Sequence, residues 1–305
     1  FAFSLLVIIP GLIAMGITWA QTGQPFRLAI DFTGGTLLEL KFVKSQQFLT
    51  DEVTKIFEQF GLSANDVHVQ PSGNDTLVIR TKTLDNETKV KAQELLRARF
   101  GDFTEQRAET VGPAVGAEVA QRAAMAVALA TIAILLYITW AFRRVPQSFR
   151  YGVCAIIALL HDALVVMGVA ALFGLLFGWE VDALFLTALL TVIGFSVHDT
   201  IVVFDRIREN ISRFRGVSFE EVVNHSILQT LDRSINTVLT TLFVLSALIL
   251  FGGITIRQFV LTLFVGIFSG MYSSIFNAAP LLVVWENNEI GKFFQRGSSN
   301  KPATA

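Results

Sequence analysis

Charge is scarce in this chain: 16% of its residues are Asp, Glu, Lys or Arg, where a soluble domain carries nearer a quarter. Cysteine is scarcer still. Cys154 stands alone in an apolar run, which excludes an internal disulfide framework or a cysteine-based metal site and leaves a buried, inert thiol. No G-x-x-x-x-G-K-[ST], H-E-x-x-H or G-x-G-x-x-G occurs, and no catalytic Ser or Cys arrangement is visible. The chain therefore reads as a non-enzyme without cofactor or bound metal. What is abundant is apolar: 52% of the 305 residues are hydrophobic, 27 are Phe, and the mean hydropathy is +0.57. These values describe an integral membrane protein. The net charge of −1 is uninformative, because the asymmetry of loop charges sets orientation.

Six apolar segments are long enough to span a bilayer: 1–20, 120–142, 150–173, 183–204, 234–251 and 258–285. The last exceeds one bilayer and is expected to tilt or to lie partly in the interface. The first has span length rather than signal-peptide length and no small-residue cleavage pattern, so it reads as a retained helix. The missing initial Met points to a leading segment ahead of Phe1.

Arg143, Arg144 and Arg150 fill one short loop, and Arg206, Arg208, Arg213, Arg215 and Arg233 lie in or beside another. On the opposite side, 174–182 has no Lys or Arg, and 252–257 has only Arg257. The positive-inside rule then puts both termini in the cytoplasm and the polar stretch 21–118 on the exoplasmic side. Residues 119–290 carry spans two to six, with an amphipathic cytoplasmic segment at 205–232 expected to lie at the interface. Residues 291–305 form a cytoplasmic tail, disordered from Gly297.

The polar stretch reads by period. Strands are expected over 36–42, 67–69, 77–79 and 103–111, with helices over 50–60 and 86–100 and a turn at 71–75. The order β-α-β-β-α-β is the split βαβ pattern of ferredoxin-like domains. The fold class is thus an α-helical membrane protein of six spans with one α+β ferredoxin-like exoplasmic domain.

Ionisable groups inside spans are expensive and rare. Asp199 lies five residues before the charged exit at Asp205, roughly 8 Å inside the membrane boundary at 1.5 Å per residue. Arg233 opens the fifth span from the same side, with Asn236 and Thr237 following at similar depth. Asp199 and Arg233 can meet if their helices are neighbours, either as a fixed ion pair or as a protonatable relay. His161 and Asp162 lie near the midplane of the third span; their side chains diverge by about 100°, so one partner cannot take both. Gly266, Gly270, Ser273 and Asn277 form a small and polar stripe on the sixth span, suited to close packing, with Asn277 placed to support the relay. Asp31, Gly34 and Gly35 stand where the chain enters the polar domain, the glycines suggesting a tight turn with positive φ.

The residues Ile30-Asp31-Phe32-Thr33-Gly34-Gly35, His161-Asp162, the block from Val197 to Asn210 with its Asp-Arg-Ile-Arg-Glu-Asn exit, and Arg233-Ser234-Ile235-Asn236-Thr237 resemble the SecD/SecF family of protein-export membrane proteins, within the RND superfamily. The resemblance spans nearly the whole chain, and its Asp-Phe-Thr-Gly-Gly motif is similar to the smaller half of that pair. It implies an accessory subunit of the Sec translocase that uses the proton-motive force, or sodium in some members, with Asp199, Arg233 and Thr237 forming the ion path at the interface with SecD. His198 stands where many members carry a small amide, and adds a second titrating group beside the relay. Implied partners are SecD, as a separate chain or a fused half, the SecYEG translocon, YajC and YidC, unfolded preprotein and membrane lipid, but no nucleic acid. Two other readings stay open on the residues alone. One is an RND small-molecule exporter, disfavoured by a single polar domain on six spans; the other is a purely structural subunit of a membrane complex.

Overall fold

The computed structural model describes residues 2–44, 48–72, 75–143, 148–214 and 216–287. The chain divides into two compact units: a membrane unit of Phe1–Pro25, Ala126–Trp179 and Leu184–Ala305, and a polar unit of Phe26–Met125 with Glu180–Ala183.

Among the described residues, six helices are long and apolar enough to cross a membrane. They are α1 (Ala2–Thr22), α5 (Pro113–Ala141), α6 (Ser148–Phe177), α7 (Ala183–Arg213), α8 (Phe219–Phe251), and a broken sixth span of α9 (Ile254–Ser273), a π segment (Ser274–Ala278) and α10 (Ala279–Glu286). Small residues set the packing inside the membrane unit, as expected where lipid offers no hydrophobic drive between helices. A Cβ added to Gly11 would lie 2.5 Å from Gly168 Cα, so α1 and α6 touch backbone to backbone. A Cβ on Gly266 would meet Val192 at 2.2 Å, which brings the sixth span tightly against α7. At one end, Tyr151 stacks on Phe142 and meets Phe204 edge-on, with centroids 5.5 and 5.3 Å apart.

The polar unit holds a four-stranded antiparallel sheet in the order β2-β3-β1-β4, with β1 (Gly35–Phe42), β2 (Val67–Ser72), β3 (Thr76–Thr81) and β4 (Phe103–Val111). With α3 (Thr50–Glu58) and α4 (Asn86–Phe100), this is the ferredoxin-like arrangement that the periodicity gives. Period-two alternation puts Leu38 opposite Ile79 and Leu40 opposite Leu77 on one face. That face is fully buried with Val53, Phe57, Ala92 and Leu96. Asp85 caps α4, its carboxylate accepting from the Thr88 amide at 3.2 Å, and Gly101 ends it at φ 90°. Pro71 and Ser72 pair in the ladder with Leu77 and Thr76 rather than forming the turn expected from Pro71 onward.

A short helix, α2 (Ile30–Thr33), precedes β1. Gly34 and Gly35 follow it with φ of 73° and 131°, the positive values expected of the pair. A side chain at Gly34 would strike Pro113 Cα at 2.7 Å, and one at Gly35 would strike the Thr81 carbonyl oxygen at 2.5 Å.

Over 205–232 the described residues are the end of one long helix and the start of the next. α7 runs on to Arg213 and α8 begins at Phe219. The amphipathic pattern there serves helix pairing: Asn210 Nδ2 donates to Ser226 Oγ at 2.9 Å and to Gln229 Oε1 at 3.0 Å, among buried Ile207, Val222 and Val223. The tail from 291 onward, with the disorder expected from Gly297, lies outside the described residues, as do Arg144 and Arg215.

Candidate ion-relay site

Asp199 sits on the face of α7 that meets α8. Its Oδ1 accepts a hydrogen bond from Ser234 Oγ at 2.6 Å, while its Oδ2 is buried without a partner. The expected pairing with Arg233 does not form: among the described residues no ion pair joins them. One residue on a helix is about 100° of rotation, so turning Ser234 inward turns Arg233 away. Arg233, Asn236 and Thr237 are exposed on the outer face of α8, and His198 is exposed on α7. Arg233 lines a cleft of about 300 Å³ with Val202, Asp205, Arg206, Glu209, Gln229 and Thr230.

Asp162 on α6 is fully buried and accepts from four donors. Ser196 and Ser273 hydroxyls reach its Oδ2 at 2.5 and 2.6 Å; Ser269 Oγ and His161 Nδ1 reach its Oδ1 at 2.7 and 3.0 Å. A carboxylate offers about four lone-pair sites, so this one is saturated. The expectation that His161 and Asp162 point apart is wrong: His161 Nδ1 lies 3.0 Å from Asp162 Oδ1. His161 Nε2 is buried without a partner beside the Tyr272 ring.

Hydroxyls run from one carboxyl group to the other. Thr200 Oγ1 donates to the Ser196 carbonyl at 3.0 Å and pairs with Ser274 Oγ at 2.9 Å, and Ser274 lies beside the Asp199 carboxyl. Ser273 and Ser274, adjacent in sequence, thus bond different partners, Asp162 and Thr200, just where the π segment begins, a helix irregularity frequent at functional sites. Asn277 does not join this network. Its Nδ2 donates to Ser4 Oγ on α1 at 3.0 Å, because the extra residue in the π turn redirects it.

Sequence reasoning missed Ser196, and it read the stripe of the sixth span, Ser273 with Ser269 and Ser274 beside it, as close packing rather than as hydroxyl donors to a carboxylate, a signal that ordinary packing shares. In the polar unit, Asp31 Oδ2 accepts from the Ala183 amide at 2.9 Å, capping the start of α7. Among the described residues no group of three or more His, Cys, Asp or Glu is placed to hold a metal ion.

Residues 91–288 match the family model described as protein export membrane protein SecD/SecF, C-terminal, and residues 19–46 match the SecD/SecF GG motif. The chain is 52% identical to the protein translocase subunit SecF of Anaerolinea thermophila, over 100% of this chain and 96% of that protein. It is 36% identical to the protein translocase subunit SecDF of Thermus thermophilus, over 90% of this chain and 36% of that one. The crystal structure of SecDF from Thermus thermophilus, described as a translocon-associated membrane protein, superposes with a TM-score of 0.79 at 37% identity, over 94% of this chain and 37% of that chain.

Proposed function

This chain belongs to the SecD/SecF family of protein-export membrane proteins, multi-pass accessory subunits of the Sec translocase, and we propose that within it Asp199 is the exchangeable proton site that couples the proton-motive force to preprotein export. One observation carries this reading. Asp199 keeps a buried, unpartnered Oδ2 inside a span, while Arg233, Asn236 and Thr237 are exposed from the neighbouring helix. Polar groups on a lipid-facing surface are costly, so such a stripe is suited to a partner helix. SecD supplies that partner, as a separate chain or a fused half; the fused SecDF relatives, of which this chain matches about a third, support it. Ser234 holds the carboxylate in the resting state, and loss or gain of the proton exchanges that hydrogen bond for pairing with Arg233 across Thr237. Asp162 and His161 anchor Ser196 and so fix the inner wall of the path, and His198 stands at its mouth. One charge crossing 100 mV supplies about 2.3 kcal/mol, enough to reverse a choice between two hydrogen-bonded arrangements.

In this reading both termini are cytoplasmic and the polar unit is exoplasmic, where it handles unfolded preprotein leaving SecYEG; YajC, YidC and membrane lipid complete the surroundings. The protein does no hydrolysis of its own. The test is proton-driven preprotein export in membrane vesicles carrying Asp199→Asn, with assembly checked by co-purification. Export is expected to fall to the level of vesicles lacking the subunit, and full export by an assembled mutant complex would overturn the assignment.

A further inference from the structure

The short loop that leaves α6 and enters α7 belongs to the polar unit by its contacts, although it joins two spans. Leu28 and Val181 form a parallel bridge: the Ala29 amide donates to the Val181 carbonyl at 2.9 Å, and the Val181 amide donates to the Arg27 carbonyl at 2.8 Å. Asp31 caps α7 through the Ala183 amide. Glu180 Oε2 lies 2.7 Å from Arg80 Nε, with side chains only 16% and 19% exposed. That contact is close without being an aligned hydrogen bond, since Arg80 Nε finds no acceptor in line. Arg80 is also steadied by Gln70, whose Oε1 accepts from Nη1 at 3.3 Å.

We propose that residues 180–183 are a strap that fastens the third and fourth spans to the polar unit, through the Arg80–Glu180 contact, the Leu28–Val181 bridge and the Asp31 cap, so that movement of those spans is delivered directly to the polar unit. The inference rests on the proton-coupled reading above, because α6 carries Asp162 and α7 carries Asp199. It also gives the Asp31-Phe32-Thr33-Gly34-Gly35 motif a task. Asp31 grips the start of α7, and the two glycines let the chain turn at once into β1, the central strand.

The strap senses protons. Burial lifts the Glu180 carboxyl to about 7, against the pull of Arg80 and Arg27 and with a push from Asp182. Burial also lowers Arg80, which faces Arg107, Arg27 and Glu39 besides Glu180. The fastened carboxyl therefore binds its proton more tightly than a released one, whose ordinary value is 4.5. Fastening is strongest below that ordinary value and weakens as pH rises through about 7. On the acidic face of an energised membrane the strap is held, and it loosens when that face turns neutral or alkaline.

Amide hydrogen exchange of the full chain in lipid nanodiscs tests this, with rates corrected for intrinsic exchange. Protection at Ala29 and Val181 is expected to fall about ten-fold between pH 6 and pH 8, from the ratio of proton binding in the two states. Glu180→Gln, which keeps the shape without a charge, is expected to hold protection constant over that range. A flat wild-type profile, or an equal fall in Glu180→Gln, overturns the sensing. Coupling is tested by Val181→Pro, which deletes the amide bonded to Arg27, and by the milder Asp31→Ala. Both are expected to loosen the strap and depress proton-driven export in assembled complexes. Loosened exchange with wild-type export overturns the coupling. Asp199→Asn leaves strap exchange unchanged in either case, so failure of the relay and failure of the strap are read separately.

Discussion

Asp162 and Asp199 are both carboxyl groups in membrane spans, and their surroundings divide the work between them. Asp162 has every acceptor position filled, so replacing one of its oxygens with an amide nitrogen leaves two of its four donors without an acceptor. Each buried group left unsatisfied costs about 1–3 kcal/mol. Asp162→Asn is therefore expected to destabilise the membrane unit by at least that amount, seen as a lower thermal midpoint of the purified chain in detergent. Asp199→Asn is expected to leave that midpoint nearly unchanged, since only the Ser234 bond is at stake and an amide oxygen still accepts it. Equal midpoints for the two variants would contradict the division. Both carboxylates were legible as expensive groups in apolar runs, and Arg233 as a nearby cation. Their partners were not, because rotation about a helix axis is fixed by packing rather than by depth, and one residue of offset exchanged Arg233 for Ser234. The serine cage was hidden for a related reason: a hydroxyl in an apolar helix bonds its own backbone as readily as it bonds a distant carboxylate, as Thr240 and Thr241 do here.

At the scale of elements, close helix approach rests on a few glycines, and they differ sharply in what they meet. A Cβ at Gly168 would lie 2.9 Å from Gly11 Cα, a backbone atom that cannot rotate away, whereas one at Gly16 on α1 meets nothing within 4 Å. Gly168→Ala is expected to lose about 1–3 kcal/mol through overpacking. Gly16→Ala is expected to be neutral or mildly stabilising, as alanine is the better helix former. Thermal midpoints of the two variants in one detergent check the contrast. The spans themselves were readable from length and hydropathy, and the sheet domain from its alternating period and capping residues, because both signals are local. Three features were not. The pairing of the α7 and α8 ends through Asn210, Ser226 and Gln229 was hidden because a charged, amphipathic surface is common to membrane-lying and paired helices. The π segment at Ser274–Ala278 leaves no trace in a period count. The strap of Glu180–Ala183 could not be read because its partners, Arg27 to Asp31 and Arg80, are far away in sequence.

For the whole molecule, the division into two units has an energetic consequence. The polar unit has its own core, in which Phe57, Leu38, Leu40, Leu77, Ile79 and Leu96 are fully buried; the membrane unit is held by glycine contacts, the Asp162 cage and the aromatic cluster around Phe204. Units with separate cores need not unfold together, and a chain of this kind departs from two-state behaviour. Heating in detergent is expected to give two transitions, the first from the polar unit, whose backbone is open to water and which lacks the support of the micelle. Phe57→Ala, which empties the centre of the sheet–helix core, is expected to cost that unit about 3–5 kcal/mol. It should lower the first transition by several degrees and leave the second in place. The strap makes a finer demand on the same experiment. If Glu180–Ala183 truly belong to the polar unit, their amides lose protection with the first transition, together with Leu38 and Ile79, although their chain neighbours in α6 and α7 stay protected until the second. Loss of Val181 protection only with the helices would return the loop to the membrane unit and remove the physical link on which coupling depends.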